Sequence, residues 1–299
     1  MVMDTVPARQ LLTPLRPSMT DFFYADYNMN LYRGCCHGCI YCDSRSLCYR
    51  LTEFDRVRVK ADALTLLEKE LRAKRRPGIV TMGAMSDPYN PHEATQKVTQ
   101  GALTLFRRYG FGASFTTKAA LCARDAELLA ALSRSAPVRA CITLTCADDG
   151  LCRKIDPNVS PTSQRLEALR TLSEAGVYAG IWLNPVLPYL TDDWENLESL
   201  LVRTREAGGR YAVCFFGMTL RSGNREYYFK ALDRDFPGVK EAYLRRFGNQ
   251  YECPAREAET LARRYRALCQ QLGLAWSFPQ INREMFARQA SQLSWLDTL

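Results

Sequence analysis

The sequence predicts an α/β protein, a partial (β/α)6 TIM-type barrel followed by a helical C-terminal extension. Three observations carry that expectation. Six short runs rich in Val, Ile, Phe and Tyr recur along the chain, amphipathic helical patterns separate them, and the alternation stops beyond residue 220. Strand–helix–strand repeats imply parallel strands joined by right-handed crossovers, and an open doubly wound sheet is the competing arrangement.

Residues 1–24 read as an irregular lead-in, because Pro7, Pro14 and Pro17 discourage helix. The barrel is expected over 25–220, with strands at 28–32, 79–82, 113–116, 138–144, 177–183 and 211–216. Between them, Ala94, Val98, Ala102 and Phe106 recur every four residues before Gly110, and Leu166, Leu169 and Leu172 share a face before Gly176. Trp194, Leu197, Leu200 and Leu201 form a third stripe, with Asp192 and Asp193 suited to the positive end of the helix dipole. The extension, 221–299, is expected to pack on the barrel. It contains a helix at 254–273 with Leu261, Tyr265, Leu268 and Leu272 on one side, and a tail at 289–299 anchored by Leu293, Trp295 and Leu296.

The chain has 299 residues, 47% of them apolar and 24% charged, the balance of a globular protein with a sizeable core. No apolar run is long enough for a bilayer, and the first thirty residues carry no leader pattern, so no membrane partner and a cytoplasmic location are expected. A reducing compartment excludes a disulfide scaffold for the 12 cysteines. Cys122, Cys214 and Cys269 lie in apolar, periodic surroundings and read as small core residues.

The cysteines of "NLYRGCCHGCIYCDSRS" need another explanation. Cys35, Cys39 and Cys42 follow the first strand in a loop containing Gly34 and Gly38. Three thiolates suit a cubane iron–sulfur cluster that leaves one iron without a protein ligand. A structural zinc site requires four donors; Cys36, His37 and Cys48 are candidates for the fourth, but no second CxxC pair follows at finger-like spacing. Cys146 and Cys152 lack further ligands nearby and are not read as a second cluster site.

CxxxCxxC with Tyr41 before its last cysteine resembles the signature of the radical S-adenosylmethionine (SAM) superfamily. "NLYRGC", "GAMSDPYNPHE" at 83–93, "TTK" at 116–118 and "RL" at 165–166 extend the likeness over 30–192, to the spore photoproduct lyase-like branch. The resemblance implies a radical SAM enzyme in which Cys35, Cys39 and Cys42 hold a [4Fe–4S] cluster. The cofactor S-adenosylmethionine completes the open iron and is split to a 5′-deoxyadenosyl radical that takes a hydrogen atom from substrate. It further implies that Tyr41, Ser86, Asp87, Lys118, Cys141 and Thr143 contribute to the cofactor site. Ser86 and Asp87 match positions at the methionyl and ribose groups, Lys118 matches a lysine on the cofactor carboxylate, and one of Cys141 and Thr143 lies near the adenosyl group. An electron donor such as a flavodoxin or ferredoxin is implied as partner.

Each assignment has a plainer competitor. The proline-rich loop at 83–93 also reads as a rigid turn with Glu93 steadying it and His92 exposed, Lys118 as a solvated lysine, and Cys141 and Thr143 as core. Arg165 pairs with an acid near the barrel mouth, meets substrate, or sits on a solvated face. The loop at 184–192 lines an adenine pocket or is simply a connection, with Tyr189 replacing a small residue of the branch pattern. One argument is independent of family: loops that follow parallel strands share the C-terminal face of a barrel, where active sites are assembled.

Two departures count against thymine-dimer reversal. Ala84 and Met85 stand where the lyase has its hydrogen-donating cysteine, and Asp43 stands where it has a tyrosine; Cys36 is a substitute donor or a bystander. The +8 net charge and the basic stretches at 72–78 and 244–248 favour a nucleic-acid base or nucleotide as substrate, with a peptide or small metabolite left open. Two rivals come from other classes: a non-catalytic, zinc-stabilised nucleic-acid-binding protein, and a redox sensor acting through Cys35 and Cys36.

Overall fold

A computed structural model describes residues 3–296, with side chains described over 3–289. Six parallel strands lie side by side in chain order: β1 (Tyr27–Met29), β2 (Ile79–Met82), β3 (Gly112–Thr117), β4 (Val138–Thr143), β5 (Ala179–Trp182) and β6 (Ala212–Val213). Strands that neighbour in sequence neighbour in space, so the order never reverses as it does in a doubly wound sheet. The architecture is a partial barrel.

The start of the chain departs from expectation. β1 stops at Met29, and Tyr32–Arg33 instead pairs antiparallel with Arg58–Lys60 in a separate small sheet. The lead-in is not wholly irregular. Thr5–Val6 pairs with the same Arg58–Lys60 segment, and Thr13–Pro14 forms an antiparallel edge on β1, a position where a proline without an N–H is tolerated.

Helices cover the outer face: α1 (Ala63–Arg72), α2 (Val98–Tyr109), α3 (Ala126–Ser133), α4 (Thr162–Glu174) and α5 (Trp194–Glu206). Strand alternation divides the side chains. Val80, Phe115, Ala140, Ile142 and Ile181 face outward into one core with Leu67, Phe106, Leu129, Leu169 and Leu200 of the helices. The helix expected from Ala94 is broken at Lys97, φ +52°, and Glu93–Gln96 is a turn of its own. The cause is the Glu93 carboxylate, which accepts from the amides of Thr99 (2.9 Å) and Gln100 (3.2 Å) and so caps α2 with a negative charge.

After β6 the chain makes a hairpin of β7 (Gly217–Thr219) and β8 (Glu252–Pro254), with α6 (Asn224–Asp235) and α7 (Val239–Phe247) between its strands. Because Pro254 belongs to β8, α8 (Ala258–Leu272) begins later than the periodicity implied. It lies against α5. In α9 (Phe278–Leu296), fully buried Asn282 donates to the carbonyls of Met19 (3.1 Å) and Phe22 (2.9 Å) and accepts from the amide of Tyr24 (3.0 Å). The packing expected of Leu293, Trp295 and Leu296 lies outside the described side chains. No described helix is long and apolar enough to cross a membrane.

Gly83 ends β2 at φ +102°, and a Cβ there would stand 2.3 Å from the Thr116 carbonyl oxygen of the neighbouring strand. Gly83→Ala is expected to cost about 3 kcal/mol or more in a denaturant titration, from combined strain and clash. Gly238→Ala, at φ +84° with nothing within 4 Å, is expected to cost about 1 kcal/mol.

Candidate active site

The cysteine loop leaves β1 at the C-terminal rim and is held from three directions. Gly34, φ +83°, presses so close to the carbonyls of Phe54 and Arg56 that a Cβ would lie 2.6 Å from both oxygens, and the Cys35 amide donates to Phe54 O (2.8 Å). From the loop after β2, Ser86 Oγ donates to Gly34 O (2.6 Å) and the Met85 amide donates to Asn30 Oδ1 (3.3 Å). From the far side, residues 155–158 grip the centre of the loop. The Ile40 amide donates to Ile155 O (3.0 Å), and Asn158 donates to His37 O (3.1 Å) and Cys36 O (3.0 Å).

Cys39 is buried, and Cys35 and Cys42 are half-buried. Burial, reinforced by Asp87, pushes the Cys35 thiol up to about 12. Burial and then Asp156 raise Cys39 well above the ordinary thiol range, and the charges of Cys42 and Cys35 add to this. Metal binding at this loop therefore displaces protons. Among the described residues, no three of His, Cys, Asp or Glu converge closely enough to grip one metal ion. Three thiolates from one loop are the donor number of a cubane with one open iron, in which each binds a different iron, whereas a structural zinc site takes four donors. The donor set fits the cubane.

Asp87 joins the other rim segments. Its Oδ1 accepts from Thr117 Oγ1 (2.6 Å) and the Tyr89 amide (2.8 Å), while Oδ2 accepts from the Lys118 amide (2.8 Å) and lies 3.4 Å from His37 Nδ1. Burial, against the pull of Asp87, holds the His37 imidazole below its ordinary value. Ser86 and Asp87 thus spend their side chains on the cysteine loop and the end of β3. Lys118 is half-buried with Nζ 5.7 Å from the Tyr41 ring centre. Burial opposes its charge, but Cys39, Asp156, Cys42 and Asp87 outweigh that and raise its pKa.

Beside the loop opens a cavity of about 830 Å³, lined by Tyr41, Cys42, Lys118 and Thr143 among others. Four of the nine residues singled out for the site therefore line one cavity. Cys141 lies elsewhere, buried among Phe23, Tyr178 and Tyr211 inside the barrel. Asn184 and Pro185 of the β5 loop line the cavity, as do residues of β7 and β8.

Three features were legible in the sequence only in part or not at all. Arg165 pairs with an acid, Asp156, and is not solvated. It is fully buried, donates from Nη1 to Thr143 O (2.7 Å), and brings Nη2 to Cys152 Sγ (2.7 Å) and Asp156 Oδ2 (3.4 Å). A hydrogen bond from Cys146, then Arg165, lowers Cys152 to about 6 against its burial. Glu93, also fully buried, accepts from Tyr32 OH (2.5 Å) and Arg124 (2.8 Å) in addition to the α2 amides. An aromatic rim of Phe22, Trp182 and Phe215 borders the cavity, with Phe22 and Phe215 more than half exposed. A run of two phenylalanines in an unpatterned lead-in gave no hint of it.

Residues 29–201 match the family model described as the radical SAM superfamily. The chain belongs to that superfamily. A [4Fe–4S] cluster and S-adenosylmethionine are the cofactors that radical SAM membership brings, together with the need for a reductant. An uncharacterized protein of Mycobacterium tuberculosis is 31% identical over 256 residues, covering 83% of this chain and 75% of the relative. One of Methanocaldococcus jannaschii is 29% identical, covering 71% of this chain and 77% of the relative. Among solved structures, spore photoproduct lyase complexed with dinucleoside spore photoproduct superposes with TM-score 0.65 at 15% identity, covering 91% of this chain and 80% of that one. A mutant of the same lyase with bound AdoMet and dinucleoside spore photoproduct gives 0.61 at 15% identity, covering 90% and 80%. These likenesses are of fold, and the radical SAM barrel is common to them.

Removing the Glu93 carboxylate would strand Arg124, the Tyr32 phenol and two helix amides together. Glu93→Ala is expected to cost about 3–5 kcal/mol of stability, read as a lowered denaturation midpoint.

Proposed function

We propose that this radical SAM protein is an enzyme in which Cys35, Cys39 and Cys42 bind the [4Fe–4S] cluster and the adjoining cavity receives S-adenosylmethionine and substrate. The observation that carries this reading is the meeting of the three-cysteine loop with a cavity that Tyr41, Cys42 and Lys118 all line. When bound, the cofactors supply a one-electron reductive cleavage whose carbon radical abstracts hydrogen from substrate.

The chain's own residues bind and orient. Lys118 presents a cation, kept charged by its acidic neighbours, to the cofactor carboxylate. Asp87 and Ser86 act at one remove, fixing the Lys118 backbone and the cysteine loop so that the cation and the thiolates keep their spacing. Tyr41 and Thr143 shape the wall next to the adenosyl group, and Cys141 supports it from below. Residues 25–220 form the catalytic barrel in this reading, 1–24 a lead-in, and 221–299 an extension whose β8 pairs with β7 at the end of the barrel, the two strands closing one side of the cavity and excluding water.

For substrate, the reading favours a nucleic-acid base or nucleotide. The +8 charge attracts phosphates, and the rim of Phe22, Trp182 and Phe215 offers faces for a planar ring. The lyase with a similar fold binds a dinucleoside. Thymine-dimer reversal is not part of the proposal, since Ala84 and Met85 carry no thiol. A flavodoxin or ferredoxin is the proposed electron donor.

Anaerobic purification tests the reading. A brown protein that forms 5′-deoxyadenosine with reductant supports it, whereas a colourless protein with a single zinc ion supports the nucleic-acid-binding alternative. Cys39→Ala is expected to abolish iron uptake, while Cys269→Ala, on the buried face of α8, retains it. Lys118→Ala is expected to weaken S-adenosylmethionine binding by about tenfold or more, measured calorimetrically, with iron content unchanged.

A further inference from the structure

Behind the cysteine loop lies a buried carboxylate that the proposed chemistry does not use. Asp156 is 1% exposed and Arg165 is wholly buried, so two full charges have been taken out of water next to the least exposed of the three thiols. Such a pair contributes little net stability, because desolvation cancels most of the attraction. Its position is nevertheless tightly specified. The residues flanking Asp156 bond to the residues flanking Cys39, through Ile155 O with the Ile40 amide (3.0 Å) and the Asn158 amide with His37 O (3.1 Å). Thr145 Oγ1 donates to Asp156 Oδ2 (3.1 Å), and Arg165 approaches the same oxygen. The other oxygen, Oδ1, is buried without a partner, as are the Tyr41 phenol and Arg165 Nε. A buried carboxylate oxygen without a geometric partner is costly for a purely structural group.

We propose that Asp156, held by Arg165 and Thr145, is a positioning residue that acts through Cys39 to set the reduction potential of the cluster. The inference rests on the cluster reading given above. Gaining an electron makes the cluster more negative, and a fixed carboxylate in a low-dielectric surrounding disfavours that step, lowering the potential. The Arg165 and Lys118 cations oppose it. The potential thus reports the balance of one anion and two cations around Cys39, and Thr145 moderates the anion by donating to it.

The test uses full-length protein reconstituted anaerobically with iron and sulfide. Iron and sulfide per chain are assayed first, and the cluster is then titrated potentiometrically with EPR detection. Asp156→Asn removes the anion and is expected to shift the midpoint to more positive potential. Thr145→Val removes the moderating donor at nearly constant volume and is expected to shift it to more negative potential. A packing role would not produce opposite signs. Full cluster content with an unchanged midpoint in both variants overturns the proposal. If Asp156→Asn does not fold or load, Thr145→Val decides alone, and an unchanged midpoint there overturns it. Wild-type protein that takes up no cluster overturns both this inference and the cluster reading, and is told apart by the iron assay alone.

Discussion

The rim of this barrel is held together by one carboxylate. Asp87 receives hydrogen bonds from its own turn, from the hydroxyl that ends β3 and from the amide of Lys118, and it faces the imidazole of the cysteine loop. Parallel strands end in loops that have no reason of their own to keep a fixed separation. A side chain with four lone-pair directions supplies that reason by bonding its own turn and the end of β3 while facing the imidazole of the cysteine loop. The approach of Gly83 to the Thr116 carbonyl is part of the same constraint, because it brings the β2 loop within reach of the β3 end.

Below the rim, the barrel interior is more polar than its surroundings suggest. Thr81, Ser114 and Arg139 are in register on adjacent strands, with Arg139 donating to the Ser114 hydroxyl and Phe23 covering the guanidinium at 3.7 Å. The cation is desolvated and stabilised chiefly by a ring face, which accounts for a phenylalanine from the lead-in lying inside the barrel. The same ring forms part of the cavity wall, so floor and cavity share a residue.

Much of this was legible in the sequence because it is local. β-branched and aromatic runs at 79–82, 113–116 and 138–144 lie within or on the strands that form, and the leucines of α4 and α5 are buried as their spacing implied. The spacing of Cys35, Cys39 and Cys42 is likewise a local signal. What stayed hidden depends on contacts distant in sequence. Tyr32 and Glu93 meet across 61 residues, Asn158 and Cys36 across 122, and neither pairing leaves a periodic trace. Glu93 reads as steadying its loop, but its caps on two amides of α2 were not legible, and for Arg165 the sequence offers an acid, a substrate or solvent as partner without naming Asp156, nine residues away. Boundaries shifted where tertiary pairing overrode propensity, as with Pro254 in β8.

The tie made by Asn282 has a consequence for how the molecule comes into being. Its hydrogen bonds reach segment 19–24 across 258 to 263 positions of chain, among the longest closures in the fold. The aromatic wall contributed by Phe22 and Phe23 therefore depends in part on the docking of α9, beside its ring contacts with Trp182 and Tyr211. Contacts so remote in sequence form slowly. Until that closure forms, the cavity lacks the side that these two rings supply.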